Sequence, residues 1–315
     1  MHVCILLLAI AGAGATRWWC YRILQQCRRD DRPWRERWSW ALGALLLPAL
    51  WLAIAAIAVG SMGTHGTMFG HGVSASGLWL SGGFAMVAVS LLVALAARAW
   101  QIQRELHHYP ATTIDAIGLD RTVTARTIAA PSWFAGQVGL ANPELAIGQD
   151  LLDGLDGDRL EAIVTHECAH AHYRDTLVFF FLGWLRRLTG LLPHTHEIWN
   201  ELVLLRELRA DRWAAQFVDP LLLAETLVAV ARASQPSTAG NSPDDLAEAW
   251  VGFHDFSAAG SFEARIEALI DTELAASTAL TDREVSFEPR DLSVGGWLWC
   301  ALACFPLLAL PFHQM

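Results

Sequence analysis

Apolar positions in this chain gather into long uncharged runs near its two ends and fall into helical spacing in the middle. Ala41–Gly60 and Leu78–Ala97 are uncharged runs of the length that crosses a bilayer as a helix. His2–Ala15 is shorter, but read through Trp18 and Trp19 it also spans. Its AGAGA end looks like a signal-peptide cleavage site, yet the basic n-region of such a peptide is missing. Trp297–Phe312 contains Pro306 and Pro311 and opens on the Trp297/Trp299 pair expected at a membrane interface. The expectation is four transmembrane helices: residues 1–97 hold three, and 294–315 the fourth.

Between the runs, residues 98–293 are polar enough for one domain. Thr122–Ala130 and Glu144–Gly148 predict short strands, separated by Pro131, Gly136, Gly139 and Pro143. After them the spacing is helical. Asp158 and Glu161 read as a capping-box start, and Leu160, Ile163, Val164 and Leu177 continue one apolar stripe. A second helix is predicted over Ile198–Val218, a third after the Asp219-Pro220 cap, and a last amphipathic one over Ser261–Leu274. QPSTAGNSPDD (235–245) predicts a loop. The fold class expected is mostly α: a multi-pass membrane protein carrying an α+β domain, which the resemblance given below would make gluzincin-type.

Charge gives the topology. Seven arginines lie between the first two runs, from Arg17 to Arg37, whereas Ser61–Gly77 carries no charged side chain. The positive-inside rule places the arginine loop and, after Arg98 and Arg104, the 98–293 domain in the cytoplasm. The N-terminus is then outside. Composition agrees, with 54% hydrophobic residues, a mean hydropathy of +0.32 and 17% charged residues. A soluble domain carries about a quarter charged residues. The chain has no lysine, which excludes a Walker A loop and an S-x-x-K acylating serine. Six cysteines without a C-x-x-C pair read as small hydrophobes, not as a disulfide frame or a thiolate zinc site.

The chemistry lies in IVTHECAHAHYRDT (163–176). On a helix His166 and His170 fall one turn apart on one face, so two imidazoles can reach one metal ion. Glu167, rotated about 100° from His166, can take a proton from water at the metal's open position. A catalytic Zn2+ needs a third protein ligand, and RELRADRWAA on the next predicted helix offers Glu207, with Ala210 and Ala214 allowing close approach. Asp211, one turn on, can accept the free ring N–H of a ligand histidine. Taken alone, the same segment with Arg206, Arg209 and Arg212 reads as a solvated charged face. His172, His194, His196 and Glu201 are further candidates, and PHTHE (193–197) could approach an oxyanion.

These residues resemble the M56 peptidases, the zinc domains of antibiotic-sensing membrane receptors of the BlaR1/MecR1 type. The resemblance covers about Ala129 to Leu269: WFAGQVGLANPELAIGQDLLDGL, HECAHAHYRD, RELRAD and FEARIEAL. It implies a zinc metalloendopeptidase in which His166, His170 and Glu207 bind Zn2+ and Glu167 is the base. It implies also a protein substrate, such as a cytoplasmic transcriptional repressor or the chain itself, and regulated proteolysis in signal transduction. Nucleic acid is not expected as a direct partner; a membrane or extracellular sensor protein is. The family's penicillin-binding domain has no counterpart before Met315, so direct β-lactam sensing is not expected. The nearest alternative is an M48-type quality-control protease, which shares both motifs. A non-catalytic membrane protein using zinc for stability is the alternative of another class, against which Glu167 argues. LLDGLDGD (151–158) superficially matches a site-2 protease motif, but it precedes the histidines and reads as a polar turn.

Overall fold

The computed structural model describes residues 2–62, 67–68, 71–72, 75–129, 133–234, 259–279 and 313–314. The 235–245 loop and the Trp297–Phe312 run lie outside them. The described chain is mostly helical with a small mixed sheet, and it divides into two compact units. One joins Met1–Leu95 to Phe181–Leu202; the other joins Ala96–Phe180 to Val203–Val285. The segment Phe181–Leu202, placed by sequence within the 98–293 domain, therefore groups with the N-terminal helices.

The first unit is built on α1 (His2–Arg29), α2 (Trp34–Met62) and α3 (Ala75–Leu106), the last shared at its C-terminal end with the second unit. A short turn at 30–33, with Asp31 at φ 46°, folds α1 back on α2. Arg17 bonds to the Ala44 carbonyl, Trp19 meets the Trp40 edge, and Gly12 faces Trp51, so the pair runs antiparallel. Among the described residues, two helices are long and apolar enough to cross a membrane: Trp34–Ser61 and Ala75–Leu106. α3 exposes its apolar side chains widely, Trp79 by 80% and Met86 by 70%, which a water-facing helix would not tolerate as a continuous surface. Three two-residue strands, β1 (Thr67–Met68), β2 (His71–Gly72) and β7 (His313–Gln314), pair antiparallel around β1.

In the second unit β3 (Ala111–Ala116) and β4 (Arg121–Ile128) form a hairpin; β5 is Ala135–Val138 and β6 is Glu144–Gly148. The sheet order is β3-β4-β6-β5, with β4 and β6 parallel and both outer pairs antiparallel. β5 is thus an edge. After α4 (Gln149–Gly154) comes α5 (Gly157–His172), capped by Asp156, whose carboxylate accepts from the Arg159 N–H, and not by Asp158. The predicted stripe to Leu177 is broken: Arg174 takes φ 54° and a new helix, α6 (Asp175–Leu188), starts beyond it. α7 (Thr195–Ala214), α8 (Pro220–Ala233) and α9 (Ala259–Ala279) follow. Leu145, Ile147, Val164, Leu223 and Leu227 join sheet, α5 and α8 in one core. Gly118, between β3 and β4, fixes a close approach: a Cβ there would lie 2.7 Å from the Phe217 carbonyl oxygen. Its N–H donates to Glu161 Oε1 of α5 at 2.6 Å.

Candidate metal centre

Three helices and one turn build the centre, all within the second unit. His166, Glu167 and His170 sit on α5, each 4% exposed. A helical spacing of four stacks the two imidazoles edge to face, with centroids 4.9 Å apart. α7 brings Glu207 and Asp211, and its buried Ala210 and Ala214 leave room for close packing. The break at Arg174 returns Asp175 to the site, and α9 contributes Arg265.

The two histidines turn their Nε2 atoms toward one another, 3.2 Å apart. Their outer nitrogens face carboxylates: His170 Nδ1 is 2.8 Å from Asp175 Oδ2, and His166 Nδ1 is 2.9 Å from Asp211 Oδ1, though the latter pair misses hydrogen-bond alignment. Glu207 closes the triangle at 3.4 Å from His166 Nε2 and 3.7 Å from His170 Nε2. Ligand atoms on a tetrahedral zinc at ~2.0–2.1 Å are about 3.3–3.4 Å from one another. The donor set His166, His170 and Glu207 is therefore spaced so that it could hold a metal ion. Two carboxylates hold the ring nitrogens that point away, which is how ligand histidines are oriented.

Arginines shield the carboxylates. Arg265 bonds Asp211 through Nε (2.7 Å) and Nη2 (2.8 Å), and its Nη1 lies 3.3 Å from Glu207 Oε2. Arg206 binds Glu207 Oε1 at 2.7–2.9 Å, and Arg209 pairs with Asp175 while its guanidinium covers the Tyr173 ring at 4.1 Å. A carboxylate offers about four lone-pair sites, so these bonds leave Glu207 able to ligate. Burial disfavours the charged form of Glu207, but Arg206, His170 and Arg265 outweigh it and hold the carboxyl well below its ordinary range. Asp211 is lowered likewise, burial being outweighed by Arg265 and His166. Burial disfavours charge on His170 too, yet Glu207 and Asp175 raise it to about 9; Asp211 and Glu207 raise His166. With their Nε2 atoms 3.2 Å apart, one proton between them satisfies both rings.

Glu167 lies within electrostatic reach of His170 and Arg265. Its Oε2 is buried without a hydrogen-bond partner among the described residues. A buried bare carboxylate oxygen is costly and invites water or substrate. The backbone carbonyl of Glu167 accepts from Gln137 Nε2 at 3.1 Å, which ties the edge strand β5 to the histidine helix.

All five residues singled out by sequence, His166, Glu167, His170, Glu207 and Asp211, thus meet in one buried cluster. The other candidates have different partners. His172 stacks on Trp213. In the first unit, Glu201 is buried against Arg37 and Arg28, and His194 stacks on Tyr21. RELRADRWAA is not a solvated face: Arg206 is buried against Glu207, Arg209 is half-buried, and of its three arginines Arg212 alone is exposed. Sequence reasoning assigned no role to Asp175, Arg206, Arg209 or Arg265. An aspartate just beyond the histidine helix, and an arginine inside an otherwise apolar helical stripe at FEARIEAL, were the available signals. No protein-family model matches this chain, and no curated protein does either.

Proposed function

We propose that the chain is a membrane-embedded zinc metalloendopeptidase, similar to the M56 peptidases, that cleaves a protein substrate in regulated proteolysis. The carrying observation is the unpartnered Glu167 Oε2 on the same helix as His166 and His170; three protein donors are the number a catalytic zinc takes, water being its fourth ligand. A structural zinc site has no use for such a group. Zinc held by His166, His170 and Glu207 would polarise the scissile carbonyl and acidify the attacking water. Glu167 then accepts the water's proton as the bond to carbon forms, and delivers it to the amide nitrogen as the C–N bond breaks. Asp211 and Asp175 keep both imidazoles turned inward through the cycle. The outer edge of β5 supports an extended peptide as substrate, because strand addition there would run it past the Glu167 turn of α5.

The bilayer reading rests on the two apolar helices and on the lipid-compatible face of α3. We place four spans, with α1 and the C-terminal run added, the N-terminus outside and the zinc domain in the cytoplasm of a bacterial cell. Pairing of His313–Gln314 with Thr67–Met68 supports this, since an even return brings the C-terminus to the side of the 61–77 loop. Candidate substrates are a cytoplasmic repressor and the chain itself.

The test is a pair of purified proteins, wild type and Glu167→Gln, loaded with zinc in detergent and offered a library of quenched peptides. Cleavage by the wild type, and loss by at least about 100-fold in the variant at equal bound zinc, is expected. Equal rates, or no cleavage by either, would overturn the reading.

A further inference from the structure

The hairpin between α6 and α7 carries chemistry that peptide hydrolysis does not use. It belongs to the first unit, and around it lies an open cavity of about 530 Å³. The polar lining comes from Arg186, Arg187, His194, Thr195, His196 and Glu197. Two arginines and one acidic residue line it, and the Glu197 carboxylate is 3.6 Å from His194 Nδ1. The first turn of the 20-residue α7 adds the N–H groups of residues 195–197 and the positive end of its dipole. The geometry is fixed. Arg186 lies over the Trp199 ring at 4.8 Å, Arg187 Nη1 donates to the Gly183 carbonyl at 3.3 Å, and His194 is stacked flat on Tyr21 with φ 60°. Such a concavity suits a phosphate-bearing group.

The surroundings say what the phosphate is attached to. Leu191, at the tip, is fully exposed at 102%, and Phe181 is 46% exposed. Trp184 donates its indole N–H to the Ala88 carbonyl, within the apolar stretch of α3. Arg17, wholly buried, donates to Thr189 Oγ1 and to Thr195 Oγ1 and holds the hairpin against α1 and α2. Basic cavity and bare apolar tip therefore sit against helices long and apolar enough to cross a bilayer. A free anion would fill the cavity and leave the tip in water; a lipid satisfies both.

We propose that this cavity binds the headgroup of an anionic phospholipid, whose acyl chains cover Leu191 and the neighbouring apolar surface. The proposal rests on the bilayer reading and is independent of the peptidase reading.

The full chain, purified in a nonionic detergent and stripped of lipid, would be titrated with short-chain phosphatidylglycerol, short-chain phosphatidylcholine or inorganic phosphate. Thermal midpoint is the readout. Phosphatidylglycerol should raise it at concentrations where the other two do not. Arg187→Gln should weaken that response at least about tenfold, the loss of one charge-assisted contact. Arg187→Lys should retain most of it, and His196→Gln serves as a second probe should Arg187→Gln not fold. A response equal for both lipids, one matched by inorganic phosphate, or one unchanged in Arg187→Gln and His196→Gln would each overturn the proposal. Resistance to alkaline carbonate extraction, compared between wild type and variants, reports separately on the bilayer reading.

Discussion

Arg265 offers the sharpest test of how the centre is held. It is 4% exposed, it grips both oxygens of Asp211, and it reaches Glu207 with its remaining nitrogen. Arg265→Met keeps the volume but leaves Asp211 as a buried carboxylate without its bidentate partner. Breaking a buried pair from one side costs roughly 3–5 kcal/mol. In a domain of this size that lowers the metal-free thermal midpoint by about 6–20 °C. At the metal, Asp211 could no longer hold His166 in place, and loss of such a partner weakens zinc by ~10–100-fold, about 1.4–2.8 kcal/mol. Chelator competition measures this directly. Arg265→Lys, which keeps charge but not the fork, should fall between wild type and Arg265→Met. Asp211→Asn combined with Arg265→Met should regain part of the midpoint, because no buried charge is then left alone. If Arg265→Met melts within about 1 kcal/mol of wild type and binds zinc unchanged, the ion pair does not organise the site.

Other outcomes follow from the same geometry. Asp175→Asn removes the charge behind His170 Nδ1 and the partner of Arg209; zinc affinity should drop by about tenfold or more in chelator competition, and an unchanged value would refute the orienting role. In metal-free protein His170 is raised to about 9, so its stabilising effect is complete below the ordinary histidine value near 6.5 and fades as pH climbs toward 9. The lowered Glu207 and Asp211 stabilise above the carboxylate range and cease to do so on acidification. The metal-free midpoint should therefore fall from pH 6.5 to 9 while the zinc-bound one does not, and a metal-free midpoint that rises over that window refutes the assignment. Gly118→Ala would push a methyl to 2.7 Å from the Phe217 carbonyl oxygen, which cannot swing aside. A loss of roughly 1–3 kcal/mol is expected from chemical denaturation, and none would mean that the loop simply moves.

The convergence of His166, His170, Glu207 and Asp211 was legible because its signal is local: a spacing of four on one helix, and a second spacing of four on another. The long apolar helices were legible for the same reason, being runs of one character. What escaped depends on which groups meet. Arg206 and Arg209 look like solvated charges until Glu207 and Asp175 are packed beside them. Arg265 is more than fifty residues from Asp211 along the chain. β3 was missed because only Ile114 and Ala116 of ATTIDA are buried, so no apolar alternation marks it. β5 hides behind the glycine of AGQV, and the end of α5 behind an apolar pattern that continues past it. The Phe181–Leu202 segment groups with the N-terminal helices, where Trp184 bonds to the Ala88 carbonyl and Arg17 to Thr189, partners that sequence spacing cannot name.

The arginine shell bears on the order in which chain and metal come together. Around the centre stand four carboxylates, Glu167, Asp175, Glu207 and Asp211, against three guanidiniums from Arg206, Arg209 and Arg265. One proton shared by the two imidazoles brings the cluster to neutrality with no ion in it. Small zinc modules cannot do this; their bare ligands repel, and they unfold when the metal leaves. Here the domain can reach its final packing empty and be loaded afterwards, the arriving dication displacing the proton. A dication in place of that proton would leave the cluster with one net positive charge. Folding of the domain and loading of a metal would thereby be separate events, and metal supply would govern the second without endangering the first.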